Sequence, residues 1–498
     1  MPQPFSNGRI SSVTRVSAIL ALLLCLAGCG GSSPHTSFVT PLTPRPPAPS
    51  AELFAQHLQA LKTPWPSVAF KEVRIWSNVD AARWANINTG PGTYDFSILD
   101  AFLSEFYLNS ESDVLYTIGQ VPGWASTNPA DPNCDFASQT NTTAGGCDLP
   151  NDINPDGSGT DATYVNFVAA IAKHVNEPTY LQSHAHITYW EPWNEWYRNP
   201  VVYPNFRQAS LHTSINATYA QMVRMTADLR CVIVGTGCVS GISYPAKGID
   251  PTAKIVSPSD GEDTGPSLAV FANFLYCSGT GPGAPIAGSQ CNKSNTGSAL
   301  VDVINTHWYE PPSLGVQPET LITDVTTYNS VLSSTDKAKP LWSGEGSWGE
   351  DDKYPDPDLQ AAWVARYYLS GWSAGLQRMY WYAYDSPNYG QLWTGGSLNP
   401  AGQAYNTLNK WILGAKLASA CSANGSVWSC SLTLSNGSAA QIIWDTSQSC
   451  SSGTCSTSPQ SVSFGNYQDL TGANNAIAGT VQVGIKPILL TATATDAP

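Results

Sequence analysis

Eight short apolar runs alternate with segments of helical period through most of the chain, and this alternation constrains the fold more than any other feature. The runs are Glu52–His57, Glu72–Trp76, Asp113–Gly119, His186–Glu195, Val232–Gly237, Val301–Tyr309, Lys339–Glu345 and Arg378–Tyr384. Helical patterns at Tyr164–His174, Ala217–Leu229, Leu268–Tyr276, Glu319–Leu332 and Leu359–Gly371 separate several of them. Parallel strands need long crossovers, and a helix is the usual one, covering the sheet as it returns. Eight such units predict an α/β chain closed into a (β/α)8 TIM barrel, with its working groups at the C-terminal ends of the strands. An open doubly wound sheet is the alternative, but no Gly-rich nucleotide turn follows any early strand.

The barrel is expected to span residues 51–409. Beyond Asn409 the helical period gives way to short alternating runs: Val427–Leu434, Ala440–Trp444, Ser461–Phe464, Thr480–Val483 and Pro487–Thr493. Gly, Asn and Ser turns separate them, so residues 410–498 read as a small C-terminal β-sandwich. No row of exposed aromatics stands out there, which favours a structural buttress over a sugar-binding module.

The N-terminus reads as an address. Arg9 and Arg15 precede the apolar stretch Val16–Leu24, too short for a comfortable membrane span of about 20 residues. Leu26-Ala27-Gly28-Cys29 then resembles a bacterial lipobox. That makes 1–28 a signal peptide, Cys29 the lipidated mature N-terminus, and 29–50, rich in Ser, Thr and Pro, a tether. The expected location is a bacterial cell envelope, membrane-anchored by lipid and facing the periplasm or exterior. An ordinary signal cleaved near Ala27 is the alternative.

Cysteine usage fits export. Apart from Cys25 and Cys29, ten cysteines fall in close couples: Cys134/Cys147, Cys231/Cys238, Cys277/Cys291, Cys421/Cys430 and Cys450/Cys455. An even number in an exported chain predicts disulfides; nearest-neighbour pairing is the economical choice, though spacing does not fix it. No Cys-x-x-Cys pair occurs and no His stands at ligand spacing, so no metal is expected. Removal of residues 1–28 leaves 21 basic against 37 acidic residues, a balance that disfavours nucleic acid and anionic membrane surfaces as partners. Seventeen Trp and 22 Tyr against 12% charged residues suit a sugar-facing surface.

Two glutamates focus the chemistry. Glu195 lies in Tyr189-Trp190-Glu191-Pro192-Trp193-Asn194-Glu195-Trp196, at the end of the fourth run, and Glu345 in Leu341-Trp342-Ser343-Gly344-Glu345-Gly346, at the end of the seventh. A fold that brings two carboxylates together can hydrolyse a glycosidic bond, one moving a proton and the other attacking or activating water. Glu191 has the same strand parity as Glu195 and rivals it, but its deeper place suits a structural partner of Arg74.

Trp-Asn-Glu on strand four with a glutamate ending strand seven, His307-Trp308-Tyr309 and Trp381 together resemble glycoside hydrolase clan A, the retaining (β/α)8 glycosidases. Arg74-Ile75-Trp76, Trp84, Gly92-Thr93-Tyr94-Asp95-Phe96 and Leu99-Asp100 resemble its family 39 branch, although the continuation Trp196-Tyr197 departs from that family's frequent Asn-Glu-Pro-Asn. The resemblance implies an O-glycosyl hydrolase acting on an oligo- or polysaccharide without a cofactor. It casts Glu195 as acid/base, Glu345 as nucleophile and Asn194 as the group that binds the sugar 2-hydroxyl. It also implies that Tyr309 orients Glu345, that His307 lines the same subsite, that Arg74 lies beneath the nucleophile, and that Trp381 floors the subsite. Trp124, after strand three, is expected to be a stacking platform, and His57, ending strand one, to be a further substrate-binding residue. A monomer is expected. A surface lipoprotein that binds sugar without turnover is the alternative from another class; an inverting hydrolase is a third reading.

Overall fold

Eight parallel strands form the centre of the molecule: β1 (Phe54–His57), β2 (Glu72–Ile75), β3 (Asp113–Thr117), β4 (Ile187–Glu191), β5 (Lys254–Ile255), β6 (Ile304–His307), β7 (Leu341–Gly346) and β8 (Arg378–Trp381). They pair in the order β5-β4-β3-β2-β1-β8-β7-β6. A parallel bridge between Val256 and Val303, with the Ser257 N–H donating to the Val303 carbonyl at 2.9 Å, joins the two edges. The structure, a computed structural model, describes residues 51–66, 70, 72–76, 82–110, 113–131, 146–196, 215, 217–259, 266–277 and 296–498. The expected signal, the lipid site Cys29, the tether, Cys134 and Cys291 lie outside the described residues.

The helices are α1 (Trp84–Ile87), α2 (Ser97–Leu108), α3 (Ala162–Val175), α4 (Tyr219–Ile233), α5 (Pro266–Tyr276), α6 (Gly297–Leu300), α7 (Thr320–Val331), α8 (Pro357–Ala374) and α9 (Pro400–Ile412). Alternation along the strands divides the core into two layers. Ala55, Leu115, Val256, Val303, Trp342 and Tyr380 fill the barrel interior. Phe54 faces outward, stacking on Tyr368 of α8 with ring centroids 4.6 Å apart. At the N-terminal mouth Arg378 plugs the interior. Its guanidinium lies 4.2 Å from the Trp342 ring and 4.9 Å from that of Tyr189, with Asp113 at 3.2 Å and Glu52 at 3.5 Å.

Two expectations need correction. Val232–Gly237 is not the fifth strand: Val232 and Ile233 end α4, and β5 is the two-residue Lys254–Ile255. A capping box starts this helix, the Thr218 hydroxyl accepting from the Gln221 N–H and the Gln221 side chain from the Thr218 N–H. Buried Met222, Val223, Met225, Leu229, Val232 and Ile233 then continue one helical pattern, which outweighs the β-branched local signal. The second correction concerns β4, which ends at Glu191, so Glu195 lies on the irregular segment after Pro192 rather than on the strand.

The C-terminal part is built on an antiparallel sheet of period-2 strands. In the strand Ala439–Asp445, Ile442 and Trp444 join the core shared with the barrel, whereas Ile443 faces the ribbon of Ser458–Ser461 and Thr480–Val483 together with Val481 and Val483. The sheet is thus sandwiched between barrel and ribbon. Trp444 reaches furthest: its indole N–H donates to Glu319 at 2.6 Å, and Glu319 also binds the buried Arg366 of α8 at 2.7 and 2.6 Å. Cys231–Cys238, Cys421–Cys430 and Cys450–Cys455 are disulfides, and Cys147 and Cys277 are each disulfide-bonded.

Trp444→Phe is expected to lower unfolding stability by about 2 kcal/mol, since it strips a hydrogen bond from a buried carboxylate. Urea unfolding followed by tryptophan fluorescence measures it. An unchanged midpoint would mean that the indole contact contributes nothing.

Candidate active site

Arg74, on β2, organises the C-terminal mouth. Its guanidinium donates to Glu191 from Nη2 at 2.8 Å and Nε at 3.1 Å, to Glu345 from Nη1 at 2.5 Å, and to the Asn194 side-chain oxygen from Nη2 at 2.7 Å. Burial alone would lower the pKa of this guanidinium; the Glu191 and Glu345 carboxylates outweigh it and raise the value, so the charge is fixed.

The two carboxylates beside Arg74 differ in their remaining partners. Glu191 is fully buried and also accepts from the Thr117 hydroxyl at 2.5 Å, the Ser259 N–H at 3.0 Å and the Asn305 amide at 3.1 Å. Its lone pairs are taken up by protein donors, which suits a structural anion rather than a reactive one. Glu345 has Arg74 on one oxygen and the Tyr309 hydroxyl on the other at 2.9 Å. Burial, followed by the neighbouring Glu345 charge, pushes the Tyr309 phenol well above its ordinary value, so it remains a donor.

Local backbone features aim Glu345. The β6–β7 register shifts between Thr306 and His307, and the β7–β8 register between Ser343 and Gly346. Such irregularities re-aim side chains, and here Trp342 fills the interior while Glu345, of opposite parity, still meets Arg74. The flanking glycines answer to crowding. A Cβ on Gly344 would stand 2.5 Å from the Asn305 amide, and one on Gly346 would collide with the Tyr367 hydroxyl.

Glu195 approaches from the opposite side. Its φ of 43° is left-handed, uncommon for a side chain without special support. Ser259 supplies that support: its Oγ accepts the Glu195 N–H at 3.1 Å and its carbonyl the Trp196 N–H at 3.2 Å. His307 Nδ1 lies 2.9 Å from one Glu195 oxygen and 3.6 Å from Glu345. One ligand atom each of Glu195, His307 and Glu345 lie within 4.8 Å of one another. A cation would fit such a trio by spacing, but the Arg74 charge already sits on Glu345 and would repel it.

The structure thus brings Glu195, Glu345, Asn194, His307, Tyr309 and Arg74 together. His57 lies beneath them, its Nε2 3.0 Å from the Gly344 carbonyl; burial and then the Arg74 charge hold its pKa well below the ordinary histidine value. Trp381 does not floor the cluster. It is fully buried on the outward side of β8, donating to the Gly390 carbonyl at 2.6 Å and packed against Trp348, Trp363 and Tyr368. The next residue, Tyr382, joins Trp76, Tyr309 and Tyr389 in an aromatic wall instead. Arg83 lies 4.5 Å from the Trp76 ring; burial draws its pKa down to about 10, against the pull of Tyr382 and Glu345, so it stays cationic. Trp124 lines a separate cavity. Sequence reading missed Ser259, Asn305, Arg83 and Tyr382; only Tyr382, beside Trp381 in an aromatic run, carried a signal.

No family model matches the sequence, and no curated protein matches it. Solved structures do share its fold. A family 39 glycoside hydrolase from Bacteroides cellulosilyticus WH2 superposes with a TM-score of 0.54 at 15% identity, covering 89% of this chain and 81% of that one. A bifunctional glucanase-xylanase from a metagenome library gives 0.51 at 12% identity, covering 90% and 97%. A glucosidase from Croceicoccus marinus gives 0.50 at 12% identity, covering 89% and 83%.

Proposed function

We propose that this protein is a retaining glycoside hydrolase. The observation that carries the reading is the spacing of Glu195 and Glu345, whose nearest carboxyl oxygens lie within 4.8 Å. Retaining enzymes hold their carboxyl groups about 5 Å apart, whereas inverting ones leave roughly 6.5–9.5 Å for a water. The unlike surroundings of the two groups support unlike roles, and the fold shared with known glycoside hydrolases agrees.

In the first step a Glu345 oxygen attacks the anomeric carbon. The glycosidic C–O bond breaks, and the Glu195 proton passes to the leaving oxygen. In the second step water loses a proton to Glu195 and attacks the same carbon, and the ester bond to Glu345 breaks. Arg74 and Tyr309 hold Glu345 as an oriented anion. A proton on His307 Nδ1 directed at the near oxygen of Glu195 leaves the acid proton on the other oxygen. Arg74 also ties the Asn194 oxygen, which leaves the amide N–H groups for a sugar hydroxyl.

The test is to incubate the protein with a panel of aryl glycosides and soluble polysaccharides and to follow the first-formed anomer by NMR. The substrate's own anomer is expected. Inversion, or no turnover across the panel, would sink the reading.

A further inference from the structure

The cavity at Trp124 contains none of the residues assigned to hydrolysis. We propose that it is a second carbohydrate-binding site, holding a segment of a polymeric substrate beside the cleft; this rests on the glycoside hydrolase reading.

The hollow measures about 480 Å³, within the range of ligand sites. One wall is a single stripe of α3: Ala162, Asn166, Ala169, Ala170 and Lys173, at helical spacing. A stripe meant for packing would carry large apolar side chains; these alanines leave the space open. Trp124 and Tyr94 supply two partly exposed rings opposite. Both are held in place. The Trp124 indole N–H donates to the Asn88 carbonyl at 3.0 Å, and Tyr94 stacks within 10° of Phe96, which stacks on His174 of α3. Rings fixed before binding cost little entropy when a ligand arrives.

The chemistry suits a sugar. Apolar C–H faces of a pyranose lie flat on aromatic rings, and the exposed Asn166 and Lys173 on the rim can meet its hydroxyls. Nucleic-acid bases also stack, but a chain with a formal charge of −14, whose described residues lining the cavity include the single cation Lys173, would repel a phosphate backbone. The cavity also backs onto the catalytic loop. Asn88 accepts from the Trp84 indole at 3.2 Å, and Trp84 stands edge-on to Trp193, two positions before Glu195.

The test runs native electrophoresis through gels containing xylan, xyloglucan, mixed-linkage β-glucan or polygalacturonate. Ala170→Trp fills the cavity and Trp124→Ala removes a ring, so the two variants probe it from opposite walls. At least one polysaccharide should retard the parent, and both variants should weaken that retardation about fivefold or more, roughly 1 kcal/mol. Turnover of an aryl glycoside by Ala170→Trp should stay within about twofold of the parent, since a small substrate does not reach the cavity. Three results would overturn the proposal: no retardation of the parent by any of the polymers, unchanged retardation in both variants, or aryl glycoside turnover falling in step with retardation. Retardation lost in both variants of a protein that hydrolyses nothing would keep the binding site and refute only the hydrolase reading.

Discussion

Glu345→Ala is expected to lower glycoside turnover by on the order of 10⁴-fold or more, because no second group can form the covalent intermediate. Glu191 is the nearest rival, but its oxygens are already bound to Arg74, Thr117, Ser259 and Asn305. The methyl left at position 345 opens room beside the Arg74 guanidinium, a natural seat for a small anion. Azide placed there should attack the anomeric carbon from the nucleophile's side and give a glycosyl azide of inverted configuration. NMR of that product is the measurement; a retained azide, or full activity without azide, would show that Glu345 is not the nucleophile.

Glu195→Ala should produce a different defect. Loss of proton donation costs about 10²–10⁴-fold for substrates with poor leaving groups and little for an activated aryl glycoside in the first step. The intermediate on Glu345 then waits for a base, so the activated substrate should show a burst followed by slow release. Azide needs no deprotonation and attacks from the face used by water, so it should speed release and give a product of retained configuration. The opposite anomeric outcomes in the two variants assign both roles. Equal losses on poor and activated leaving groups would remove Glu195 from the acid/base role.

Much of this architecture was legible in the chain because the signals that carry it are periodic. Strand and helix periods alternate over hundreds of residues, and errors arose where a period had no length to show itself. β5 has only two residues, so Val232–Gly237, β-branched but continuous with a helical stripe, took its place in the reading. Pro192 was a usable warning that β4 stops at Glu191, since proline cannot continue an interior strand. Trp381 and Tyr382 are adjacent aromatics, and only the folded barrel shows which faces the mouth. Ser259 had no signal at all: its bond to the Glu195 backbone spans 64 positions and exists only because the chain past β5 runs beside the loop after β4.

The Trp444–Glu319–Arg366 clamp bears on how such a protein can change. Arg366 belongs to α8, the crossover between the strand that carries Glu345 and β8, and Glu319 directly precedes α7, the crossover into that same strand. The C-terminal lobe therefore grips the two helices that flank β7, the strand of Glu345, and its Trp444 face is part of their core. It is not a cassette that recombination could detach or exchange freely, because any replacement would have to offer the same indole to the same carboxylate. Changes in loops that do not touch Trp444, Glu319 or Arg366 leave that joint intact.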